Sequence, residues 1–180
     1  MRAKTKDLVL AAMFAALMAV CSWISIPSAV PFTLQTFGVF LAVGLLGGKR
    51  GTVAVAVYIL LGAVGLPVFA GFTGGIGVIL SATGGYIIGF LAAALTMWAL
   101  LHIFGDGKFV LLASMAAGLL VCYAFGTAWF MTVYARETGP VGLATALGWC
   151  VVPFILPDAI KIAVAFAVCL RLKGALRPAE

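Results

Sequence analysis

Apolar residues run along this chain in long blocks, and short clusters of glycine, proline and charge cut the blocks apart. Blocks of this length and continuity predict helices rather than alternating strands. The first helix is expected over about 8–26, ended by Pro27 and Pro31. The second covers about 35–47 and stops at Gly47-Gly48-Lys49-Arg50. The third covers about 52–64 and stops at Gly65 and Pro67, where a glycine-rich stretch, GLPVFAGFTGGIG, fills 65–77. The fourth covers about 79–103 and the fifth about 109–134. The last block, 141–172, is interrupted by Pro153 and Pro157. Pro157 suits the first turn of a helix, so a short helical piece to about 152 should precede a sixth helix from about 157.

Composition decides the solvent. The 180 residues are 65% hydrophobic and 9% charged, against about 25% charged in a soluble domain. A single core of this size cannot hide so much apolar surface, so lipid must cover most of it. The N-terminus resembles a secretory signal, with Arg2, Lys4 and Lys6 before an apolar run and Ser28-Ala29 after it. The apolar run nevertheless approaches the roughly 20 residues that span a bilayer and further spans follow, so it is read as a retained first helix. The four cysteines, Cys21, Cys122, Cys150 and Cys169, stand singly inside apolar runs without CxxC spacing and read as small buried hydrophobes.

Charge then orients the chain. Net charge is +6, but the basic residues cluster at a few points and do not alternate with aromatics, which argues against a nucleic-acid partner. With the N-terminus in the cytoplasm, the inner segments hold Arg2, Lys4, Lys6, Lys49, Arg50, Lys108, Arg171, Lys173 and Arg177, and the outer loops hold only Arg136. That asymmetry is the positive-inside pattern. It predicts an all-α polytopic membrane protein with six transmembrane helices and both termini cytoplasmic.

One basic residue, Lys161, stays within the membrane, three positions after Asp158. A charge near the bilayer centre costs about 2.5–3.5 kcal/mol on insertion scales. Residues at i and i+3 share a helix face, so the two can pair structurally or line a polar site for a solute. Their place just after Pro157 sets them toward the outer leaflet, where a site would load from outside. In the second reading, the hydrogen-bonding head of a guest completes the pair. Glycines at 71–77 could bring backbone N–H groups, near Gly74 and Gly75, to an anion, or simply make a flexible connection. Phe32, Phe69, Phe72, Trp129 and Tyr86 could pack on an apolar ring system, and Tyr86 stands out because a buried phenol wants a partner. GLLGGKRG lacks both the spacing and the hydroxyl of a phosphate-binding loop, and no soluble nucleotide domain is present, so energy for uphill transport should come from another chain. Ala11, Ala15 and Ala19 recur every fourth residue on helix 1, with Ala12 and Ala16 beside them. Such spacing suits close helix packing, internal or with a partner.

Four stretches together resemble a known family: VPFTLQTFGVFLAVGLLGGKRG (30–51), GLPVFAGFTGGIGVILSATGGYIIGF (65–90), YAFGTAWF (123–130) and PDAIKIAVA (157–165). They are similar to the biotin-specific substrate-binding subunit of energy-coupling factor (ECF) transporters, the BioY family. The resemblance covers nearly the whole chain. It implies one membrane-embedded substrate-binding domain over 1–180, in the plasma membrane of a prokaryote, that binds biotin near the outer face and performs no chemistry on it. It implies partners, a transmembrane coupling subunit and two ATPase subunits, and neither cofactor nor metal. Carried over residue by residue, it assigns the ligand to Asp158, Lys161, Tyr86, Thr33 and Gln35, with Phe72, Gly74 and Gly75 beside them from the residue chemistry, and the coupling subunit to Ala12 and Ala16. Three competing readings remain at this stage: a subunit of the same type for another vitamin, a ligand-free membrane scaffold, and an intramembrane enzyme using Asp158. His102, near the inner end of helix 4, is too far from Asp158 to serve the last.

Overall fold

A computed structural model describes residues 2–26 and 30–176. Pro27, Ser28, Ala29 and Arg177 fall outside the described residues, as do the side chains of Arg2, Lys4 and Lys173. The described residues are mostly helical. Among them eight α-helices follow in order: α1 (Arg2–Trp23), α2 (Gln35–Leu46), α3 (Gly48–Ala63), α4 (Ile76–Leu80), α5 (Gly84–Phe104), α6 (Lys108–Glu137), α7 (Leu143–Cys150) and α8 (Ile155–Leu176). Two strands of two residues, β1 (Ser25–Ile26) and β2 (Phe32–Thr33), pair antiparallel between α1 and α2, with Ser25 opposite Thr33.

Several boundaries differ from the sequence expectation. α1 ends at Trp23 rather than near 26, because the chain there enters β1. The short ladder went unpredicted, since two residues are too few to show alternation. Gly48-Lys49-Arg50 forms the first turn of α3 instead of a break after α2. Gly47 alone reverses the chain, at φ 83, a conformation that only glycine adopts without strain. The expected fourth helix is two: α4 stops at Leu80, Ser81 turns extended, and α5 begins at Gly84.

Four described stretches are long and apolar enough to cross a bilayer: Thr5–Trp23, Gly84–Phe104, Lys108–Glu137 and Leu143–Leu172. α2 has 12 residues and α3 has 16; at about 1.5 Å per residue each is shorter than the hydrocarbon core. Contacts fix the relative directions. Asp7 at the start of α1 pairs with Arg50 at the start of α3, 2.9 Å apart. At the other ends, Trp23 Nε1 donates to the Pro67 carbonyl just past α3 (2.8 Å), so the two helices run parallel. α2 starts beside the end of α1, where Leu34 N–H donates to the Cys21 carbonyl, and runs back to the start of α3 at Gly47. Thr52 of α3 donates to the Ala94 carbonyl of α5 (3.3 Å), and Gly48 lies against Trp98, so α5 is antiparallel to α3. Tyr86 of α5 bonds Thr127 of α6 while Gly118 faces Ala93, so α6 reverses again. α8 is parallel to α2, since Thr36 meets Asp158 at one end and Gly44 meets Cys169 at the other. The six longer helices thus alternate in direction. Lys6, Lys49, Arg50 and Lys108 gather at one end of the bundle, with Arg171 toward it, and Arg136 lies at the other.

Candidate functional site

The Arg136 end of the bundle holds a cavity of about 420 Å³, within the roughly 300–1,000 Å³ usual for small-ligand sites. Its walls are α2, α5, α6 and α8. The connection between α3 and α5 covers it with Phe69, Ala70, Thr73, Gly77, Val78 and Ser81. Most of the lining is apolar or aromatic, and its two charged groups come from one helix, α8.

These are Asp158 and Lys161, in the first turns of α8. Both are buried, 2% and 6% exposed, and their side chains pair at 2.8 Å. Neighbours complete the pair. Thr36 Oγ1 donates to Asp158 Oδ1 (3.0 Å) and Tyr123 OH to Oδ2 (2.5 Å). Lys161 Nζ donates to the Thr33 carbonyl (2.6 Å) and sits 4.4 Å from the centre of the Phe32 ring, a cation–π contact. Among the described residues, no buried side-chain nitrogen or oxygen lacks a partner. The expectation that a guest must complete the pair is therefore corrected: the protein's own donors and acceptors do so, and the pair stands in the fold without a ligand. It still borders the cavity and keeps capacity to spare. A carboxylate offers about four lone-pair directions and an ammonium three protons; Asp158 has used three and Lys161 two.

Thr33, Gln35 and Tyr86 also line the cavity. Thr33 sits at the end of β2, and its hydroxyl donates to Gln35 Oε1 (2.8 Å). Gln35 Nε2 in turn donates to Tyr58 OH (2.6 Å). Tyr86 OH bonds Thr127 Oγ1 at 2.9 Å. Its ring lies flat against α6 because position 126 is glycine: a Cβ there would stand 2.3 Å from the ring.

Three predicted residues are not brought to the cavity. The chain turns back at Gly71 and Phe72, both at positive φ (67 and 59), and the Phe72 ring stacks outside on Trp23, centroids 5.1 Å apart. Gly74 packs against the Leu66 carbonyl, which a Cβ would meet at 2.1 Å. Gly75 N–H, the donor expected for an anion, is already given to the Gly62 carbonyl (2.7 Å). The same stretch does line the cavity, but through Thr73 and Gly77. Of the aromatics, Phe69 lines it and is 1% exposed. Phe32 stacks on Phe154, which lines it. Trp129 lies outside the lining, stacked on Phe125 with its indole N–H on the Ser81 carbonyl.

Sequence reasoning missed Tyr123, Thr36, Tyr58 and Phe154. The signal for Tyr123 was a phenol in an apolar helix, the same cue that singled out Tyr86. On α1, Ala11, Ala15 and Ala19 are buried in the bundle, and Ala12 and Ala16 are exposed. Their outward face continues through Leu8, Met13 and Val20, 70%, 60% and 47% exposed.

Comparison with known proteins places this geometry among relatives. The model of a family described as the BioY family matches residues 1–178. The biotin transporter BioY of Thermotoga maritima is 46% identical over 169 residues, 93% of this chain and 96% of that protein. A protein of Pyrococcus horikoshii named "Probable biotin transporter BioY" is 45% identical over 172 residues, 95% and 98% of the two chains. Among solved structures, the crystal structure of the S-component for biotin from an ECF-type ABC transporter superposes with a TM-score of 0.83 at 29% identity, covering 96% of this chain and 93% of that one.

Proposed function

The chain belongs to the BioY family, and from that premise we propose that it is the biotin-binding membrane subunit of an ECF transporter, with biotin seated beside Asp158 and Lys161. The observation that carries the assignment is the buried, hydrogen-bonded acid–base pair on the wall of a largely apolar cavity. Biotin has a ureido head with two N–H donors and one carbonyl, a sulfur ring, and an aliphatic chain ending in a carboxylate. The unused lone pair of Asp158 suits a ureido N–H, and the third proton of Lys161 suits the carbonyl. Phe69, Phe90, Ile87 and Phe154 offer apolar wall to the ring and chain. With Gly75 N–H engaged elsewhere, Lys161 is the cationic partner at hand for a carboxylate in the opposite orientation. Matched burial of this kind selects strongly, because an analogue lacking the ureido group leaves the site's buried groups unpaired.

The same reading gives the chain six membrane spans with both termini in the cytoplasm of a prokaryote and places the cavity at the outer face. The one-ended gathering of Lys6, Lys49, Arg50 and Lys108 supports this orientation. It also gives the chain a membrane coupling subunit and two ATPases as partners, with Ala12 and Ala16 on the docking face; their outward position on α1 supports that assignment. Competition against radiolabelled biotin on the purified protein tests the ligand. Displacement by unlabelled biotin, and none by other vitamins at equal concentration, is expected. No saturable binding of radiolabelled biotin, or its displacement by another vitamin at a lower concentration than unlabelled biotin, would overturn it.

A further inference from the structure

Behind Lys161 runs a chain of hydrogen bonds that no ligand contact requires. Tyr58 of α3 is 1% exposed, and its hydroxyl donates to the Val68 carbonyl (3.0 Å) in the segment covering the cavity. Gln35 Nε2 donates to the same hydroxyl (2.6 Å), and Gln35 Oε1 accepts from Thr33 Oγ1 (2.8 Å). Thr33 Oγ1 also accepts from Gln35 N–H (3.2 Å). The Thr33 carbonyl then accepts from Lys161 Nζ (2.6 Å). The Tyr58 proton points to the Val68 carbonyl, which Ser22 Oγ also reaches at 2.6 Å, and the phenol accepts from the amide of Gln35. That turns the amide oxygen toward Thr33, whose hydroxyl proton it takes. The Thr33 side chain is thereby pinned, and with it the peptide whose carbonyl holds the ammonium.

We propose that Tyr58 is a positioning residue for Lys161: acting through Gln35 and Thr33, its hydroxyl fixes the carbonyl that aims the Lys161 ammonium at the ligand cavity. Gln35 then supports the site through one amide proton and one amide lone pair, each given to a neighbour. The Tyr58 ring packs edge-on to Phe69, centroids 5.6 Å apart, and Phe69 fits closely over Gly62, where a Cβ would stand 2.0 Å from it. The covering segment and the aim of Lys161 are therefore joined at one side chain.

The inference rests on the reading of the cavity as a biotin site, and its test separates the two. Tyr58→Phe keeps the ring and its packing, and the Val68 carbonyl retains Ser22 Oγ at 2.6 Å. Isothermal titration should show biotin binding about tenfold weaker, the effect of one buried hydrogen bond. In a Lys161→Met background, Tyr58→Phe should add nothing, because the relay acts only through the ammonium. Unchanged binding by Tyr58→Phe, or an equal loss in both backgrounds, would overturn the proposal. A ligand-free arm stands apart from the biotin reading and from the folding of Lys161→Met. With cyanate, carbamylation of Lys161 followed by peptide mass spectrometry should be faster in Tyr58→Phe than in wild type. Equal rates would refute the relay, whereas wild-type protein that binds no biotin would refute the proposed ligand alone.

Discussion

A carboxylate and an ammonium survive burial in this bundle because each is met by groups of the opposite hydrogen-bonding sense. Asp158 takes three donors from three helices, Thr36 of α2, Tyr123 of α6 and Lys161 of α8. Bonds to a charged group contribute about 1.5–3 kcal/mol each, enough together to offset the insertion cost of the two charges. Tyr123 is the donor that ties α6 to α8, so Tyr123→Phe should weaken biotin binding by roughly tenfold and lower the melting temperature in detergent by a few degrees. Titration calorimetry and a thermal-shift scan of the purified variant check both. The pair itself was legible in the sequence, because two opposite charges at i and i+3 in an apolar helix have few explanations. Tyr86 was legible for the same kind of reason. Thr36 was not, because its role comes from the packing of α2 against α8, which no local pattern carries; Tyr123 carried the same phenol cue as Tyr86, but its partner is set only by the packing of α6 against α8. Gly74 and Gly75 were overread: glycine composition signals backbone freedom but not where the N–H groups point.

Element by element, long helices with charged or glycine-proline ends could be read within a few residues. Failures fell where one to three residues make the break. Gly47 alone separates α2 from α3, and Ser81 to Thr83 divides α4 from α5 without a proline. These breaks matter to function, since the irregular chain between α3 and α5 covers the cavity. α1 shows a limit of another kind. Five alanines mark two adjacent faces of one helix, and only tertiary packing tells which face is inward: Ala11, Ala15 and Ala19 are. The outward alanines, exposed on the face of α1 away from the bundle, are the place to test docking. Ala16→Trp, alone or with Ala12→Trp, should cut co-purification of the coupling subunit several-fold, because close helix approach needs small side chains. Biotin affinity should stay within about twofold of wild type, since substitutions on an exposed face rarely reach a buried site. Pull-down and titration on the same preparations give both numbers.

For the molecule as a whole, the decisive pattern is the separation of basic charge and cavity along the bundle axis. Basic residues gather at one end, the cavity opens near the other, and α1 runs between them. The bias in Lys and Arg was plain in the sequence, and the alternating helix directions agree with it. The cavity was not legible, because its volume depends on how four helices and a covering segment meet. The native cysteines are all buried, so introduced thiols can report orientation against little background. Thr138→Cys should react with a membrane-impermeant maleimide on intact cells, and Lys49→Cys only after permeabilisation; the reverse pattern would invert the topology. The central claim is that biotin binds at the acid–base pair, and Asp158→Asn tests it most directly. Isothermal titration of the purified, monodisperse variant should show biotin affinity reduced by about a hundredfold or more, as expected when a charged acceptor is lost and Lys161 is left without its counter-ion. Binding at wild-type affinity would contradict the account and remove the pair from the site.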